Sequence, residues 1–463
     1  MGYKEKANPF KVLLNKFKWI GTTFHKGDNL TKLSFVIMGL SNLLRGQIIK
    51  GLTYMVLEIS FIFYTLIYGI NNFIGLLTLG TKQQNMVYNE ESGIYEVLPG
   101  DNSMIMLLAG VTTLFVILFF IVVWVSSIKS AIHVQELKEK GKKIPNIVTD
   151  ITSLFNTNIH KLLLTIPIIG LVLFTVVPLV YMILMAFTNY DVNHQPPGNL
   201  FTWIGLKNFK LMLLSNDKIA KTFWPVFGWT MVWAFFATFT CYFGGMLLAI
   251  LINSKGIRGK GFWRTIFVIT IAVPSFVSLL IIRVMLAEHG ALNILLQELG
   301  FITKALPFFT NPTWARVTVI IVNLWVGIPH TMLITTGILT NIPADLYESA
   351  KIDGASPIKT FLKITMPYML FITTPYLITN FIANINNFNA IYFLTEGNPA
   401  TLDYFKGAGK TDLLVTWLFK LTIESKDYCY ASTIGIMIFT ISAALSLIVY
   451  RRTGAYKNEE GFQ

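Results

Sequence analysis

Ile342-Pro343-Ala344-Asp345-Leu346-Tyr347-Glu348-Ser349-Ala350-Lys351-Ile352-Asp353-Gly354-Ala355 lies between two apolar stretches, and the polar run closes on Phe361-Leu362-Lys363-Ile364-Thr365-Met366-Pro367. A segment that only returns a chain through a bilayer needs a few turn residues. About two dozen residues carrying helix start and stop signals predict two short helices instead, and a surface on which another protein can dock. Pro343 suits the first helical position, where its missing N–H costs nothing, and Asp345 and Glu348 complement the helix dipole. Gly354 can take the left-handed conformation that ends a helix. Ser356-Pro357 then reads as the N-cap and first residue of a second helix running toward Pro367. The plainer alternative is an amphipathic linker resting among lipid headgroups.

The rest of the chain has the composition of a membrane protein: 54% of its residues are hydrophobic and only 13% are charged, too few charges for a soluble surface of this size. Two cysteines, Cys241 and Cys429, make neither a disulfide framework nor a zinc spacing. Eight stretches are long enough to cross a hydrocarbon core of about 30 Å: Gly51–Ile70, Met104–Ile128, Leu162–Phe187, Phe223–Ile252, Thr265–Leu286, Val317–Leu339, Tyr368–Leu394 and Ala431–Val449. Leu33–Leu44 is apolar but short and reads as an interfacial or partly buried helix.

The net charge of +13 is distributed in a way that argues against nucleic acid. Nine Lys or Arg lie in the first 50 residues, six in Lys129–Lys161, four in the turn of Lys255, Arg258, Lys260 and Arg264, and Arg451 and Arg452 follow the last span. Thr81–Ser103, on the other side, holds Lys82 against Glu90, Glu91, Glu96 and Asp101. By the positive-inside rule both termini and the Ile342–Pro367 segment face the cytoplasm. The first 30 residues are polar and basic without an apolar core, so the first span is expected to direct insertion.

Arg283 is the one clear charge within a span; it lies near an outer end, with Glu288 a turn and a little away, and reads as snorkelling. The seventh is interrupted by Asn380, Asn384, Asn386 and Asn387. At 100° per residue, positions 380, 384 and 387 share an arc of about 60° while Asn386 points elsewhere. Amides in a membrane helix must face protein, water or a polar ligand. Hydrogen bonding between helices is the competing role. Substrate contact is the preferred reading for Asn384 and Asn387, and the two readings stand level for Asn380. In the sixth span, Gly327 and Pro329 loosen Asn323-Leu324-Trp325-Val326-Gly327-Ile328-Pro329-His330. Trp325 offers a stacking face or merely packs, and His330 is equally open between ligand and structural bond. Amides and an aromatic, with almost no intramembrane carboxylate, suit an uncharged polyhydroxylated solute and not a cation, a phosphate or a proton relay.

The order Glu348-x-Ala350, Asp353-Gly354-Ala355, then Phe361, Ile364 and Pro367, resembles the EAA loop of ATP-binding-cassette importer permeases, with Ile342-Pro343-x-x-Leu346-Tyr347 similar to their carbohydrate branch. Ser349 and Met366 stand where Ala and Leu are usual. The resemblance implies that Tyr347, Glu348, Ser349, Ala350, Asp353, Gly354, Ala355 and Pro367 form a coupling element that inserts into a cytoplasmic ATPase. Over the whole chain, with Asn386-Asn387-Phe388 and Leu394-Thr395-Glu396-Gly397-Asn398-Pro399, the sequence resembles the larger permease subunits of maltose/maltodextrin importers. That implies a sugar site at Val326, Gly327, His330, Asn380, Ala383, Asn384 and Asn387. Aromatic residues common at the positions of His330 and Ala383 in that family are absent here, which leaves open which oligosaccharide is carried. The connection Asn189–Thr222 is also short where some relatives carry a large folded insertion.

Gly407-Ala408-Gly409-Lys410-Thr411 imitates the end of a phosphate-binding loop, but Tyr404 occupies the position of its first Gly and no strand precedes it. No HExxH, CxxC or Ser-His-Asp order appears. The expectation is therefore a transport subunit, not an enzyme, with no catalytic residue, metal or cofactor of its own and ATP and Mg bound by a partner. The fold expected is an all-α membrane protein of about eight transmembrane helices with a cytoplasmic EAA coupling loop, the type I ABC importer permease fold. Its parts would be a basic N-terminal segment with the interfacial helix (1–50), two additional spans and a basic linker (51–160), a six-helix core with the coupling loop 342–367 (161–450), and a cytoplasmic tail (451–463). Implied partners are a second homologous permease, a cytoplasmic ABC ATPase dimer, an extracellular sugar-binding protein, an oligosaccharide and membrane lipid, with no nucleic acid. The location would be the bacterial cytoplasmic (inner) membrane. Rival readings are an ion-coupled secondary sugar transporter, for which no mid-membrane acid or inverted repeat is evident, a membrane-embedded enzyme, and an ABC permease for another solute such as peptides.

Overall fold

The computed structural model describes residues 19–90, 93–254 and 256–452. The basic residues of the first eighteen positions, Glu91, Lys255 and the tail 453–463 lie outside the described residues. The chain divides into two compact units, Met1–Leu184 with Asn193–Trp203, and Met185–Val192 with Ile204–Gln463. Among the described residues seven helices are long and apolar enough to span a membrane, and a pair of helices bent by 87° at a short break is apolar enough to make an eighth if the two are one span.

In the first unit, Leu33–Leu44 is not one helix. Two one-turn helices, α1 (Asn29–Leu33) and α2 (Leu40–Leu44), flank a turn that ends at Gly39 with φ +79°. Glycine is required there twice over, by that angle and because a Cβ would sit 2.4 Å from the Gly51 carbonyl. The segment is tied to α3 (Ile48–Thr78) and α4 (Ser103–Glu139) by polar bonds. Met38 N–H donates to Glu58 Oε2 at 2.8 Å, Gly39 N–H to Ser127 Oγ at 3.0 Å, and Asn42 Nδ2 to Ser130 Oγ at 2.7 Å. Arg45, 7% exposed, pairs with Asp28 and donates to Thr31, Ser41 and the Ala131 carbonyl. Glu58 is thus an acid inside the first span, so Arg283 is not the one charge within a span. Its carboxylate satisfies a backbone donor that hydrocarbon could not.

Between α3 and α4 the expectation of an all-α chain needs one addition: β1 (Asn85–Asn89) and β2 (Ile94–Leu98) form an antiparallel hairpin pairing Asn85 with Leu98 and Asn89 with Ile94. Asp101 closes its base by accepting the Thr81 and Lys82 N–H groups at 2.7 and 2.9 Å. Those two bonds hold its carboxyl below the ordinary aspartate range. The helix α4 runs beyond its apolar span through Glu139, and α5 (Ile147–Phe155) and α6 (Ile159–Met185) follow.

The second unit is built on two long helices. After α7 (Lys207–Leu214), α8 (Lys218–Asn253) packs along α12 (Pro312–Leu339) with almost no space between backbones. A Cβ on Gly245 would lie 2.1 Å from Thr331 Oγ1, and one on Gly327 would lie 2.4 Å from Cys241 Sγ. Small residues permit this approach, and hydroxyls cross the seam, Thr331 Oγ1 donating to the Cys241 carbonyl at 2.7 Å.

The fifth span is α9 (Lys260–Ala272) and α10 (Ser275–Met285), and α11 (Ala291–Glu298) follows. Pro274 pushes Val273 to an extended backbone (φ −78°, ψ 124°), which ends one helix before the next begins. Counting hydropathy alone ran across that break. Two further boundaries differ from the sequence reading. The helix after Gly354 does not stop at Pro367 but runs unbroken as α14 (Pro357–Ile385), a π-turn at Phe361–Thr365 taking up the proline. The seventh span then ends at Ile385 instead of reaching Leu394, and α15 (Phe388–Thr395) starts afresh because the Asn387 side chain caps the Ala390 N–H at 3.2 Å. The last helices are α16 (Leu414–Ile423) and α17 (Tyr428–Arg452).

Candidate functional site

The helix breaks in the second unit converge on one cavity of about 360 Å³. The α9–α10 break contributes Val273, Pro274 and Ser275, with Thr270 and Ser278 on either side. From α12 come Asn323, Trp325, Val326, Gly327, His330 and Thr331, from α8 Ala237 and Cys241, and from α14 Tyr376, Asn380 and Asn384, with Asn387 beyond the helix end. No Asp, Glu, Lys or Arg lines it among the described residues. The result is a neutral chamber of amides, hydroxyls, an imidazole and two aromatic rings.

Six of the seven residues expected at a sugar site line this cavity: Val326, Gly327, His330, Asn380, Asn384 and Asn387. Ala383 does not; it is exposed elsewhere on α14. Asn386 points away as expected and donates to the Ile382 carbonyl at 3.1 Å. The amides differ in their partners. Asn384, 8% exposed, donates through Nδ2 to Thr238 Oγ1 at 3.0 Å, and its carbonyl oxygen accepts from Asn387 Nδ2 at 3.3 Å. Its main-chain carbonyl also accepts from Trp233 Nε1 at 3.1 Å, so α8 and α14 are joined at this residue. Asn380 makes no side-chain hydrogen bond among the described residues and is half-buried in the lining, with both ends of its amide available. Among the described residues, then, Asn384 is the amide bonded across helices and Asn380 is the one whose side chain is free in the lining.

Cys241, Thr270, Ser275, Ser278, Thr331 and Tyr376 were not singled out by the sequence reading. A signal existed for some of them: Pro274 inside an apolar span marks a break, and the hydroxyls at 270, 275 and 278 flank it. The others are placed by helix packing that has no local signature. Arg283 is held by more than snorkelling, and its partner is not Glu288: it donates to Glu396 Oε1 at 2.7 Å, tying α10 to the end of α15. That bond and the guanidinium charge hold the Glu396 carboxyl below its ordinary range.

The Ile342–Pro367 segment forms a second feature. α13 (Ala344–Ile352) starts one residue after Pro343, which is its N-cap, and Gly354 turns the chain with φ +70° before Ser356 caps α14 at Lys359 N–H. One side is anchored. Ile342 and Ala350 are buried, and Tyr347 packs with Tyr242, Met246 and Met369 while its hydroxyl meets Thr365 Oγ1 at 3.0 Å. The other side is free: Glu348, Ser349, Asp353, Gly354 and Pro367 are exposed, and Ile352 is 86% exposed. Ala355 is half-buried at the bend.

The Gly407–Thr411 run is bound up in its own loop. Gly409 N–H donates to Asp412 Oδ2 at 2.7 Å, Lys420 Nζ holds that carboxylate at 2.7 Å and the Glu396 carbonyl at 2.7 Å, and Trp229 Nε1 donates to the Thr411 carbonyl at 3.0 Å. A Cβ at Gly409 would lie 2.0 Å from the Gly397 carbonyl, leaving no room for a phosphate.

A polytopic helical unit with a neutral central cavity and an anchored, outward-facing helix between two spans defines a transport permease. Residues 242–453 match the family model of the binding-protein-dependent transport system inner membrane component. Over 95% of its length the chain is 33% identical to the maltodextrin transport system permease protein MdxF of Bacillus subtilis, covering 98% of that protein. It is also 33% identical over 92% of its length to the galactooligosaccharides transport system permease protein GanP of the same organism, covering 97% of it. A bacterial ABC transporter that imports the acidic polysaccharide alginate shares the fold, with a TM-score of 0.50 and 21% identity over 65% of this chain and 96% of that one. The chain belongs to the family of inner membrane components of binding-protein-dependent transport systems. It is a multi-pass membrane transport subunit of an ABC importer and not an enzyme.

Proposed function

We infer that the importer carries a neutral oligosaccharide of the maltodextrin type, and that the solute passes through the cavity at Asn380. The observation that carries this reading is the lining itself: amide, hydroxyl and aromatic groups with no fixed charge. An acidic polymer such as alginate would leave its carboxylates buried and unpaired there, at several kcal/mol each even after relaxation, roughly the scale for an uncompensated buried charge. A sugar instead matches hydroxyls to the free Asn380 amide and stacks on Trp325, which is 63% exposed. Val326, Gly327, His330 and Asn387 complete the contacts, with Asn384 mainly holding the wall. Relatives that carry maltodextrin and galactooligosaccharide are equally similar in sequence. A peptide fits this lining less well, because its charged termini find no counter-charge there.

In this reading both termini and α13 lie on the cytoplasmic side of a bacterial cell membrane, and the chain pairs with a second homologous permease. A cytoplasmic ATPase dimer, which binds the ATP and Mg, receives Glu348, Ser349, Asp353 and Gly354, while Tyr347, Ala350 and Pro367 transmit its movement to α8 and α14. An external binding protein delivers the sugar. Closure of the ATPase dimer favours one of two permease states through this contact, and hydrolysis restores the other. ATP-driven uptake by reconstituted vesicles tests the reading: labelled maltodextrin should accumulate, and a uronate oligosaccharide of the same length should not. Uptake that follows an ion gradient without ATP, or equal uptake of the uronate, would sink it.

A further inference from the structure

The first unit holds a cavity of about 740 Å³ that nothing above uses. It lies where two membrane-length helices begin. Lys50 stands two residues into α3 and Lys161 two residues into α6, and both line it. Neither ammonium group has a hydrogen bond or ion pair among the described residues. The wall between them is apolar, supplied by Ile48, Ile49 and Ile147, while Ser153 of α5 adds a hydroxyl. One acid faces in: Asp150, whose Oδ2 accepts weakly from Gln47 Nε2 at 3.5 Å, leaving one positive charge in excess.

The apolar side continues along the helices. Leu52, Val56 and Ile59 continue the face of Ile48 and Ile49 along α3, and Leu164 and Ile168 are exposed on the Lys161 face of α6. A ligand that satisfies all of this carries a negative group for the two ammoniums at the membrane boundary and hydrocarbon chains for the strips below it. We propose that this cavity is a binding site for an anionic glycerophospholipid, whose phosphate sits between Lys50 and Lys161 and whose acyl chains lie along α3 and α6. A zwitterionic lipid brings no net charge to two unpaired lysines, and a soluble phosphate leaves the apolar strips without a partner.

The test uses the full chain purified in a neutral detergent, with its unfolding midpoint followed as dioleoyl phosphatidylglycerol, dioleoyl phosphatidylcholine or inorganic phosphate is added. Phosphatidylglycerol should raise the midpoint at mole fractions where phosphatidylcholine does not. The double substitution Lys50→Gln with Lys161→Gln should require about thirty-fold more of it, on the scale of about a factor of five per lysine near a membrane surface. Lys142→Gln with Lys143→Gln, in the same basic linker but outside the cavity, should titrate like the parent. Should the Lys50 and Lys161 variant fail to fold, Asp150→Asn decides: removing the inward acid must tighten the phosphatidylglycerol response, and an unchanged or weaker response contradicts the site. An equal response to phosphatidylcholine, equal loss in the 142/143 variant, or full protection by inorganic phosphate alone would each overturn the proposal.

Discussion

Asn380 and Asn384 are one turn apart on α14, yet only Asn384 is bonded to another helix. Replacing Asn384 with Leu strands the Thr238 hydroxyl and the Asn387 amide, at a cost of about 1–3 kcal/mol by the usual penalty for a buried unpaired group. That variant should lower the unfolding midpoint and the yield of assembled complex. Asn380→Leu leaves no such orphan and should keep the midpoint within about 1 °C while cutting sugar uptake roughly tenfold, about one hydrogen bond's worth in a water-excluded site. If Asn380→Leu unfolds and Asn384→Leu only slows transport, the two roles are assigned the wrong way round. The arc of amides was legible in the sequence because helical periodicity is local. The choice among them was not, because Thr238 lies 146 residues away. Asn387 reaches the cavity from beyond the helix end, so its place in that arc was right for a reason the period did not contain.

At the scale of elements, cap chemistry was readable and continuity was not. Ser356, Pro357 and Gly354 marked the bend where the structure has it. That α14 runs from the bend through Pro367 depends on a π-turn, and the break at Pro274 depends on a pre-proline restriction that summed hydropathy ignores. Gly354, with φ +70°, cannot become Pro, whose ring holds φ near −65°. Gly354→Pro should therefore abolish uptake and ATPase stimulation while the cavity end of α14 stays intact; normal uptake would refute the coupling role of α13. A second element-scale prediction concerns the Arg283–Glu396 tie. The Glu396 carboxyl is held below its ordinary value of 4.5, chiefly by the Arg283 hydrogen bond. The tie's contribution to stability is then present above that value and lost as pH falls through the depressed one. The midpoint difference between the parent and Glu396→Gln should be constant at neutral pH and shrink as pH is lowered below 4.5. A difference that grows on acidification would reverse the assignment.

For the whole molecule, membrane class and the candidate spans followed from composition, hydropathy and charge placement. The β-hairpin did not, because the residues between its two strands in the sequence, Glu90-Glu91-Ser92-Gly93, carry no turn signature of the usual two-residue kind. Nor did the polar bonds of Met38 to Glu58 on α3, of Gly39 to Ser127 on α4 and of Arg45 to the Ala131 carbonyl on α4, which tie down a stretch whose composition reads as a short apolar helix. The proposed roles of the two features of the second unit, solute selection by the neutral cavity at Asn380 and linkage to ATP through α13, can be tested together. The measurement that reaches both is ATPase activity of the reconstituted permease–ATPase assembly with its binding protein, across maltodextrins, galactooligosaccharides and uronate oligosaccharides, for the parent and Asn380→Leu. A neutral oligosaccharide should stimulate hydrolysis in the parent, and uptake per ATP hydrolysed should fall in Asn380→Leu. Stimulation by the uronate alone, or an Asn380→Leu assembly that transports as well as the parent, would contradict these roles.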